Sequence, residues 1–408
     1  MRDIEKHAEI NSENLTICGI ETLSSSVKAN NELMNLVLAK ECYLIVDESN
    51  LVKAPFSKRS KNIERLAENC NYKLILNGTP ITKNVADLFQ QWKILDWRIL
   101  GYKSYYSFAA NHLEFDEKFR NKVRRVLNID YITDKISPYT YQVRKNECLT
   151  LPDKKYESVY FDLTYEQTWH YIHTLNEFLS LGNLADLPEA IIYRTINALQ
   201  QITSGRRITS KPLKEHITHE PFFSSPCHNP RIKTLLYVLE QCGTEKVIIW
   251  CKFTHEIEDI LTVLSEQDYK CVTFYGKMTL KQRQKAIDKF ENEAQILIAN
   301  KACAGYGLNL QFCHNAIYYD NDYDLGTRVQ SEDRLHRIGQ KNKILIIDIV
   351  ADCKIDERVI QSLSKKSNIS DDLKKEIKDR NVLDWLYYDK IKERVDCDSS
   401  GTKKPTKN

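Results

Sequence analysis

The sequence predicts an α/β fold in which two parallel-sheet lobes are joined by helical insertions. Short apolar, β-branched runs recur along the chain, and amphipathic stretches of helical length separate many of them. Strand, helix and strand in that rhythm are typical of a parallel sheet covered by helices. With 408 residues and 42% hydrophobic content, the chain is long enough for two ordinary cores.

The predicted strands are short apolar or aromatic runs. They are YLIV (43–46), YKLIL (72–76), KVIIW (246–250), CVTFY (271–275), QILIA (295–299), NAIYY (315–319) and KILIIDIV (343–350). Helices are predicted at RIKTLLYVLEQC (231–242), HEIEDILTVLSEQ (255–267) and LKQRQKAIDKFEN (280–292). The alternation is clean in residues 230–365 and present but short in residues 15–95.

From this pattern we predict four parts. They are a partial first lobe with a helical insertion (1–150), a helical insertion or linker (151–229), a second lobe (230–365), and a helical extension with a mobile polar tail (366–408). Within the second part, LPDKKYESVYFDLT (151–164) alternates like a strand. The end of the chain, DCDSSGTKKPTKN, is too polar to offset the entropy of ordering.

Composition favours a soluble intracellular protein. The net charge is only +3, so any phosphate-binding surface must be a local patch or cleft. The twelve cysteines include no C-x-x-C pair, which argues against zinc ribbons and a disulfide framework. We find no signal peptide and no apolar run long enough to span a bilayer. We expect no membrane partner and a cytoplasmic location, with the nucleus left open.

Two adjacent acids, Asp47 and Glu48, follow the first predicted strand. Ligands of open α/β sheets bind at the carboxyl ends of the strands. In nucleotide hydrolases an acid pair at this position holds Mg²⁺ and orients the attacking water. A solvated acidic turn is the alternative interpretation, so the other motifs must decide.

Two further strands end in small-residue turns. In LILNGTPITKN (74–84), Gly78 permits a tight turn and Thr79 presents a hydroxyl. In ANKACAGYGLNLQFCHNAIYYD (299–320), Gly305 and Gly307 would let backbone N–H groups approach a phosphate. Either turn alone is also an ordinary strand-to-loop junction.

The most specific segment is RVQSEDRLHRIGQ (328–340). On a helix, Gln330, Arg334 and Arg337 fall at i, i+4 and i+7, so one face would present an amide and two guanidinium groups. These groups suit phosphate oxygens. The alternative is a solvated helix face with an Asp333–Arg337 ion pair.

Together, these four segments resemble the helicase motifs of the Swi/Snf-like branch of superfamily two, the chromatin-remodeller type of ATP-dependent DNA translocase. DESN corresponds to the family's Asp-Glu-Ala-His box, and NGTPITKN corresponds to its Thr-Gly-Thr-Pro box. AGYGLNL and QSEDRLHRIGQ correspond to the two boxes of the second lobe, and the last match is nearly complete. The resemblance covers residues 15–365 and implies two RecA-like lobes.

The resemblance also implies the site. ATP would lie between the lobes with Mg²⁺ on Asp47, while Glu48 orients water, Arg334 and Arg337 act as arginine fingers and Gln330 senses the terminal phosphate. The remaining nucleotide-binding positions would be Gly78, Thr79, Gly305, Gly307 and Asp333. Such proteins move along duplex DNA without sequence preference. We expect the DNA contacts in turns that follow strand ends: Ser24, Ser25, Ser26 and Lys53 on the first lobe and Lys252, Thr254, Lys277 and Arg283 on the second. For each of these residues taken singly, plain solvated surface is the alternative, and only their shared position after strand ends favours a DNA track.

The sequence departs from the family in one major respect. Family members bind the triphosphate with a loop of the form G-x-x-x-x-G-K-[ST] (Walker A), and none of the twelve glycines here begins that pattern. Smaller departures are Ser49 and Asn50 for Ala and His, Asn77 for the usual hydroxyl residue, and Ala304 for Gly. Asn50 is expected to be able to hydrogen-bond between boxes.

This departure suggests that the first lobe is N-terminally incomplete. One hypothesis is a split enzyme, as occurs in phages, whose other polypeptide supplies the Walker A loop. The alternative is a catalytically inactive nucleic-acid-binding or regulatory remnant. The retained acids and arginines favour the split enzyme, because they have no evident role in folding.

Overall fold

The computed structural model describes residues 14–81, 84–115, 123–143, 145–181, 189–210, 217–305 and 308–365. The chain divides into two compact units, Met1–Arg144 and Lys145–Asn408. Gly307 and the predicted tail at 366–408 lie outside the described residues. The α/β class predicted from the sequence is confirmed.

The first unit is mainly helical and contains a small parallel sheet. Its helices are α1 (Thr22–Ser25), α2 (Val27–Ala39), α3 (Lys58–Ala67), α4 (Ala86–Leu100), α5 (Tyr105–His112) and α6 (Ile129–Ile136), with 3₁₀ turns at Ser49–Val52 and Ser137–Tyr139. Its strands are β1 (Tyr43–Val46), β2 (Tyr72–Ile75), β3 (Leu113–Phe115) and β4 (Val123–Val126). Strands β1 and β2 are parallel, as predicted, whereas β3 and β4 are antiparallel. The N-termini of α2, α3 and α5 are capped by the side chains of Ser26, Ser57 and Ser104.

The two faces of the β1–β2 sheet differ in burial. One face packs Val46 and Ile75 into a core with residues of α1, α3 and α4. The opposite face carries Tyr43, Ile45, Tyr72 and Leu74, which are 40–59% exposed. Tyr43 and Tyr72 stack with their ring centroids 5.9 Å apart. Since parallel sheets are normally covered on both faces, this apolar face is unusual.

The second unit is built on a six-stranded parallel sheet. Its strands are β5 (Lys154–Phe161), β8 (Val247–Cys251), β9 (Cys271–Phe274), β10 (Ile296–Asn300), β11 (Asn315–Tyr318) and β12 (Ile344–Ala351), in the order β5-β12-β11-β8-β10-β9. A two-stranded hairpin is formed by β6 (Arg206–Ile208) and β7 (His219–Pro221). Its helices are α7 (Lys145–Cys148), α8 (Tyr165–Leu179), α9 (Glu189–Thr203), α10 (Pro230–Cys242), α11 (Thr254–Glu266), α12 (Leu280–Asn292), α13 (Leu325–Glu332) and α14 (Lys354–Lys365), with 3₁₀ turns at Pro226–His228 and Lys301–Gly305.

This sheet is central to the second unit. Strands β8, β10 and β11 are almost wholly buried, as their continuous β-branched runs predict. The segment 151–229, predicted as an insertion or linker, contributes edge strand β5 to this sheet. It also contributes Tyr171 of α8 and Leu199 of α9 to the same core. The four-part domain division itself stays a prediction.

Among the helices that the structure describes, none combines the length and the apolar composition needed to cross a membrane.

Candidate functional site

The acidic pair lies in a tight turn directly after β1. Asp47 is exposed, whereas Glu48 is half-buried and has a left-handed backbone conformation with φ 50° and ψ 52°. The Glu48 N–H donates to Asp47 Oδ1 at 2.9 Å. Because a non-glycine residue in this conformation costs about 1–3 kcal/mol, the surrounding structure must hold the turn in place.

A buried hydrogen-bond network joins the acidic turn to the Gly-Thr-Pro turn after β2. Ser49 Oγ donates to Gln91 Oε1 at 2.7 Å, and the Asn77 amide donates to both of these oxygens at 3.2 Å. Asn77 Oδ1 accepts the Thr79 N–H at 2.8 Å. Two positions that depart from the family pattern, 49 and 77, therefore form the link between the turns.

Asn50 is a third residue of this region, and we expected it to be able to hydrogen-bond between the two turns. Its side-chain oxygen is buried and meets no hydrogen-bond donor in the described part of the chain. Gly78 and Thr79 are both exposed. A Cβ atom built on Gly78 would meet nothing within 4 Å, so the surrounding structure does not require glycine there.

The donor set of this turn fits Mg²⁺ bound through one carboxylate. In nucleotide sites, Mg²⁺ is usually held by one or two carboxylates together with substrate phosphates and water. Within the described residues, no group of three or more His, Cys, Asp or Glu side chains could hold a metal ion. Asp47 would therefore need phosphate oxygens to complete the coordination, and its role stays a prediction.

The second unit also gathers its predicted segments at the carboxyl ends of parallel strands. Strand β10 leads into the 3₁₀ turn Lys301–Gly305, against which α13 packs. Gly305 closes this turn. Gln330 lies half-buried on α13, and Asp333 lies half-buried at the end of that helix.

The helix predicted across RVQSEDRLHRIGQ is shorter than expected. Helix α13 ends at Glu332, and the chain continues as turns through Gln340. Gly339 has φ 101°, a conformation outside the right-handed helix. The i, i+4, i+7 helical face expected for Gln330, Arg334 and Arg337 therefore does not form.

Both arginines instead lie against the segment that follows the small-residue turn. The Arg334 carbonyl accepts the Leu310 N–H at 3.1 Å, and Arg337 Nη1 donates to the Leu308 carbonyl at 3.2 Å. Arg334 is half-buried and Arg337 is exposed. Turn geometry thus brings together two segments that the sequence placed in separate motifs.

Helix α13 is anchored by the buried side chain of Arg328. Its guanidinium donates to Asp348 Oδ1 and Oδ2 at 2.6 and 3.1 Å and to Glu332 Oε1 at 2.8 Å. It lies 3.4 Å from the centroid of the Tyr318 ring. The same helix is tied to the sheet edge by Lys154, which donates to Glu332 at 2.8 Å. These contacts fix the start of the segment that carries both predicted arginine fingers.

Lys252 differs most from its predicted role as a DNA contact. Its ammonium group is buried and donates to Asn197 Oδ1 at 2.7 Å and Gln200 Oε1 at 2.6 Å. It also lies over the Tyr323 ring at 4.7 Å. Burial lowers the pKa of this lysine, and nearby carboxylates partly offset that decrease. The structure therefore shows that Lys252 holds α9 against the carboxyl end of β8 and does not present a free charge to solvent.

Glu256 occupies the same buried network. It accepts hydrogen bonds from Ser204 Oγ at 2.5 Å and from the backbone N–H groups of Lys252 and Phe253 at 3.1 and 3.0 Å. Burial, assisted by the nearby Asp320 carboxylate, raises the pKa of Glu256 to about 8. These contacts tie α11 to the two residues that follow β8 and so fix the backbone at the carboxyl end of that strand.

The other predicted DNA contacts are spread over both units. Ser24 and Ser25 are exposed, whereas Ser26 caps α2 by accepting the Ala29 N–H at 3.1 Å. Lys53 pairs with Asp87 at 3.3 Å, and the exposed Lys277 lies 4.0 Å from Glu258. Arg283 donates to the Gly276 carbonyl at 3.0 Å, and Thr254 begins α11. Their role as DNA contacts stays a prediction.

Two structural anchors escaped prediction from the sequence. The sequence assigned no role to Gln91, so only its hydrogen bonds with Ser49 and Asn77 reveal how it links the two turns. Arg328 is the first residue of the most specific segment, RVQSEDRLHRIGQ (328–340), and that position was the one available signal. A charged residue is rarely buried unless it is paired, and the sequence does not reveal its partners.

The chain matches two protein-family models. The SNF2-related domain matches residues 2–221, and the helicase conserved C-terminal domain matches residues 230–339. Among curated proteins, it is 26% identical over 330 residues to an uncharacterized ATP-dependent helicase of Mycoplasma genitalium, covering 80% of this chain and 30% of that protein. It is 23% identical over 385 residues to TATA-binding protein-associated factor 172 of Homo sapiens, covering 80% and 20%.

The chain thus spans less than a third of the length of these two relatives. Among solved structures, it is similar to the Sulfolobus solfataricus SWI2/SNF2 ATPase core in complex with dsDNA. That similarity has 23% identity and a TM-score of 0.43, and it covers 88% of this chain and 76% of that structure.

Proposed function

Because this chain belongs to the SNF2-related family, we propose that it forms the ATP-hydrolysing core of a translocase that moves on duplex DNA. One observation carries the proposal. Each unit places its predicted nucleotide-binding segments together at the carboxyl ends of parallel strands, where α/β proteins bind ligands. A cytoplasmic location and a phage origin stay predictions.

Bound ATP with Mg²⁺ would supply the phosphoanhydride whose hydrolysis drives movement. Asp47 would hold the metal, and the neighbouring Glu48 would orient and deprotonate the attacking water. Arg334 and Arg337 would place positive charge on the transferring phosphate, with Gln330 sensing that phosphate. Gly78, Thr79, Gly305, Gly307 and Asp333 would line the nucleotide.

The proposal requires a phosphate-binding loop that these 408 residues do not contain. We therefore propose that a separate polypeptide, or a segment joined to this one, supplies the Walker A loop. The purified chain should then hydrolyse ATP negligibly with or without duplex DNA. Addition of a Walker A segment from a related ATP-dependent helicase, fused ahead of residue 1, should restore DNA-stimulated hydrolysis.

The test compares variants of that fused protein by their steady-state ATP hydrolysis in the presence of random-sequence duplex. Arg337→Ala or Glu48→Gln should lower kcat by a factor of ~10³ or more while DNA affinity changes little. Arg358→Ala, which changes the same residue type on α14, is the matched control and should retain full activity. Full activity of Arg337→Ala and Glu48→Gln would refute the assigned roles.

Gly78→Ala gives an independent test of where the nucleotide lies. Since a Cβ there meets no neighbour within 4 Å, the variant should unfold at the wild-type temperature. If a nucleotide approaches this turn closely, the same variant should weaken ATP binding. Unchanged ATP affinity would place the nucleotide elsewhere.

A second function is favoured by the missing Walker A pattern: an inactive DNA-binding or regulatory protein. It predicts that the fused protein binds duplex DNA but never hydrolyses ATP. Under both functions, phosphate contacts should dominate, so affinity for random duplex should fall steeply with salt.

A further inference from the structure

The first unit carries two exposed aromatic rings side by side. Phe56 is 56% exposed and Tyr106 is 72% exposed. Their ring centroids are 5.8 Å apart, with the planes tilted by 36°. We call Phe56 and Tyr106 the aromatic pair. Aromatic side chains of this exposure are among those that contribute most to binding, because they bury a large area when a partner covers them.

The aromatic pair is held in place by rings beneath it. Tyr105 meets Phe56 edge-on at 5.6 Å and meets Phe89 edge-on at 5.6 Å. Phe89 packs at 5.3 Å on Phe108, and both of these rings are buried. A chain of ring contacts therefore connects the exposed pair to the core, and a pre-organised surface of this kind loses little entropy on binding.

The chain next to the aromatic pair is strongly basic. Between Glu48 and Glu64 there are four cationic residues and no Asp or Glu; the four are Lys53, Lys58, Arg59 and Lys61. Lys53 is paired with Asp87. Lys58 and Lys61 are exposed, and Arg59 is half-buried. Lys58 and Arg59 lie two and three positions after Phe56, in the first turn of α3.

Exposed rings next to Lys58 and Arg59, for which the described part of the chain shows no ion pair, match the chemistry of an unpaired nucleotide. A base offers a planar apolar face for stacking, and its phosphate offers the negative charge that the lysine and arginine lack. Intact duplex presents phosphates but keeps its base faces covered by their neighbours. On DNA, the aromatic pair would therefore meet a free base face only where a base leaves the stack.

We propose that Phe56 and Tyr106 form a stacking platform for an unpaired or extruded DNA base, with Lys58 and Arg59 contacting the adjacent phosphates. The proposal shares a DNA partner with the proposed function but goes beyond it, because movement along duplex needs phosphate contacts alone. It predicts tighter binding of single strands and of duplex with bulged bases than of fully paired duplex.

The test uses the full chain and three fluorescein-labelled probes of equal length: a single strand, a fully paired duplex, and a duplex with a two-base bulge. The variant Phe56→Ala/Tyr106→Ala should lose about 5- to 150-fold in affinity for the single strand and the bulge. Its affinity for paired duplex should stay within about twofold of wild type. A 2-aminopurine base in the bulge should be quenched by wild type and not by the variant.

Three further variants separate stacking from unspecific damage. Tyr106→Phe keeps the ring and should keep the affinity for all three probes. Tyr139→Ala/Tyr141→Ala removes two exposed rings of the same unit and should leave single-strand affinity unchanged. Lys58→Ala/Arg59→Ala should flatten the log–log salt dependence of single-strand binding by about 1.4.

The outcomes are distinct. An equal loss on all probes, or no loss on any, overturns the stacking platform while leaving salt-dependent duplex binding, and with it the proposed function, intact. A chain that binds none of the three probes overturns both. If Phe56→Ala/Tyr106→Ala instead loses binding to phosphatidylserine vesicles and keeps its single-strand affinity, the rings contact lipid and the proposal is wrong.

Discussion

The buried Arg328 network permits a quantitative prediction about the segment that carries both predicted arginine fingers. Arg328→Met retains most of the aliphatic volume but removes the arginine that pairs with Asp348 and with Glu332. Asp348 would keep the Asn321 amide at 2.7 Å, and Glu332 would keep Lys154 and the Tyr156 hydroxyl. Among the described residues, Asp348 would nevertheless be a buried carboxylate with no cationic partner.

Breaking a buried pair in this way costs about 3–5 kcal/mol, since the remaining charge has lost its compensation. For a unit of this size, each kcal/mol lowers the unfolding temperature by roughly 2–4 °C, so the expected decrease is about 6–20 °C. The measurement is differential scanning calorimetry, in which the transition of the second unit is followed.

The control is the double variant Arg328→Met/Asp348→Asn, which removes the stranded charge and should recover much of the loss. A decrease below about 3 °C for Arg328→Met would refute the reasoning, because it would mean that water reaches Asp348 and Glu332. Equal losses in the single and double variants would show that packing on the Tyr318 ring, not charge, supplies the stability.

Two further predictions concern Glu256, near the end of β8, and Gly205, just after α9. Glu256 has a folded-state pKa of about 8 against an ordinary 4.5, so its contribution to the free energy of unfolding is present below pH 4.5 and is lost as pH rises toward 8. Glu256→Gln should therefore flatten the decline of that free energy between pH 5 and 8, measured by urea unfolding. A decline equal to that of the wild type would contradict the prediction. Gly205 has φ 96°, and a Cβ there would lie 2.5 Å from Asn229 Nδ2; Gly205→Ala should therefore lower the unfolding temperature of the second unit, whereas Gly243→Ala, at φ 60° but in open space, should lower it less.

The sequence predicted the strands well because their burial imposes a simple composition. A strand covered on both faces must be apolar throughout, and the β-branched runs of β8, β10 and β12 satisfy that requirement locally. Helix starts were similarly local, since capping serines and threonines lie next to the turns they stabilise. These features depend on neighbours in sequence.

The site was predicted less completely because its details depend on distant partners. Arg334 and Arg337 were expected on one helical face, but the helix ends at Glu332 and both arginines bond to the segment Leu308–Leu310 instead. Lys252 looked like a surface cation until its bonds to α9 were known. Periodicity in the sequence does not reveal which residues from different helices and strands contact one another.

The exposed face of the β1–β2 sheet has a consequence for synthesis of the protein in the cell. Tyr43, Ile45, Tyr72 and Leu74 belong to the first unit, which leaves the ribosome before the six-stranded sheet is complete. Apolar strands that stay uncovered invite association between nascent chains. Production of this chain should therefore depend on holdase chaperones, and substitution of Ile45 and Leu74 by threonine should relieve that dependence without disturbing the buried face formed by Val46 and Ile75.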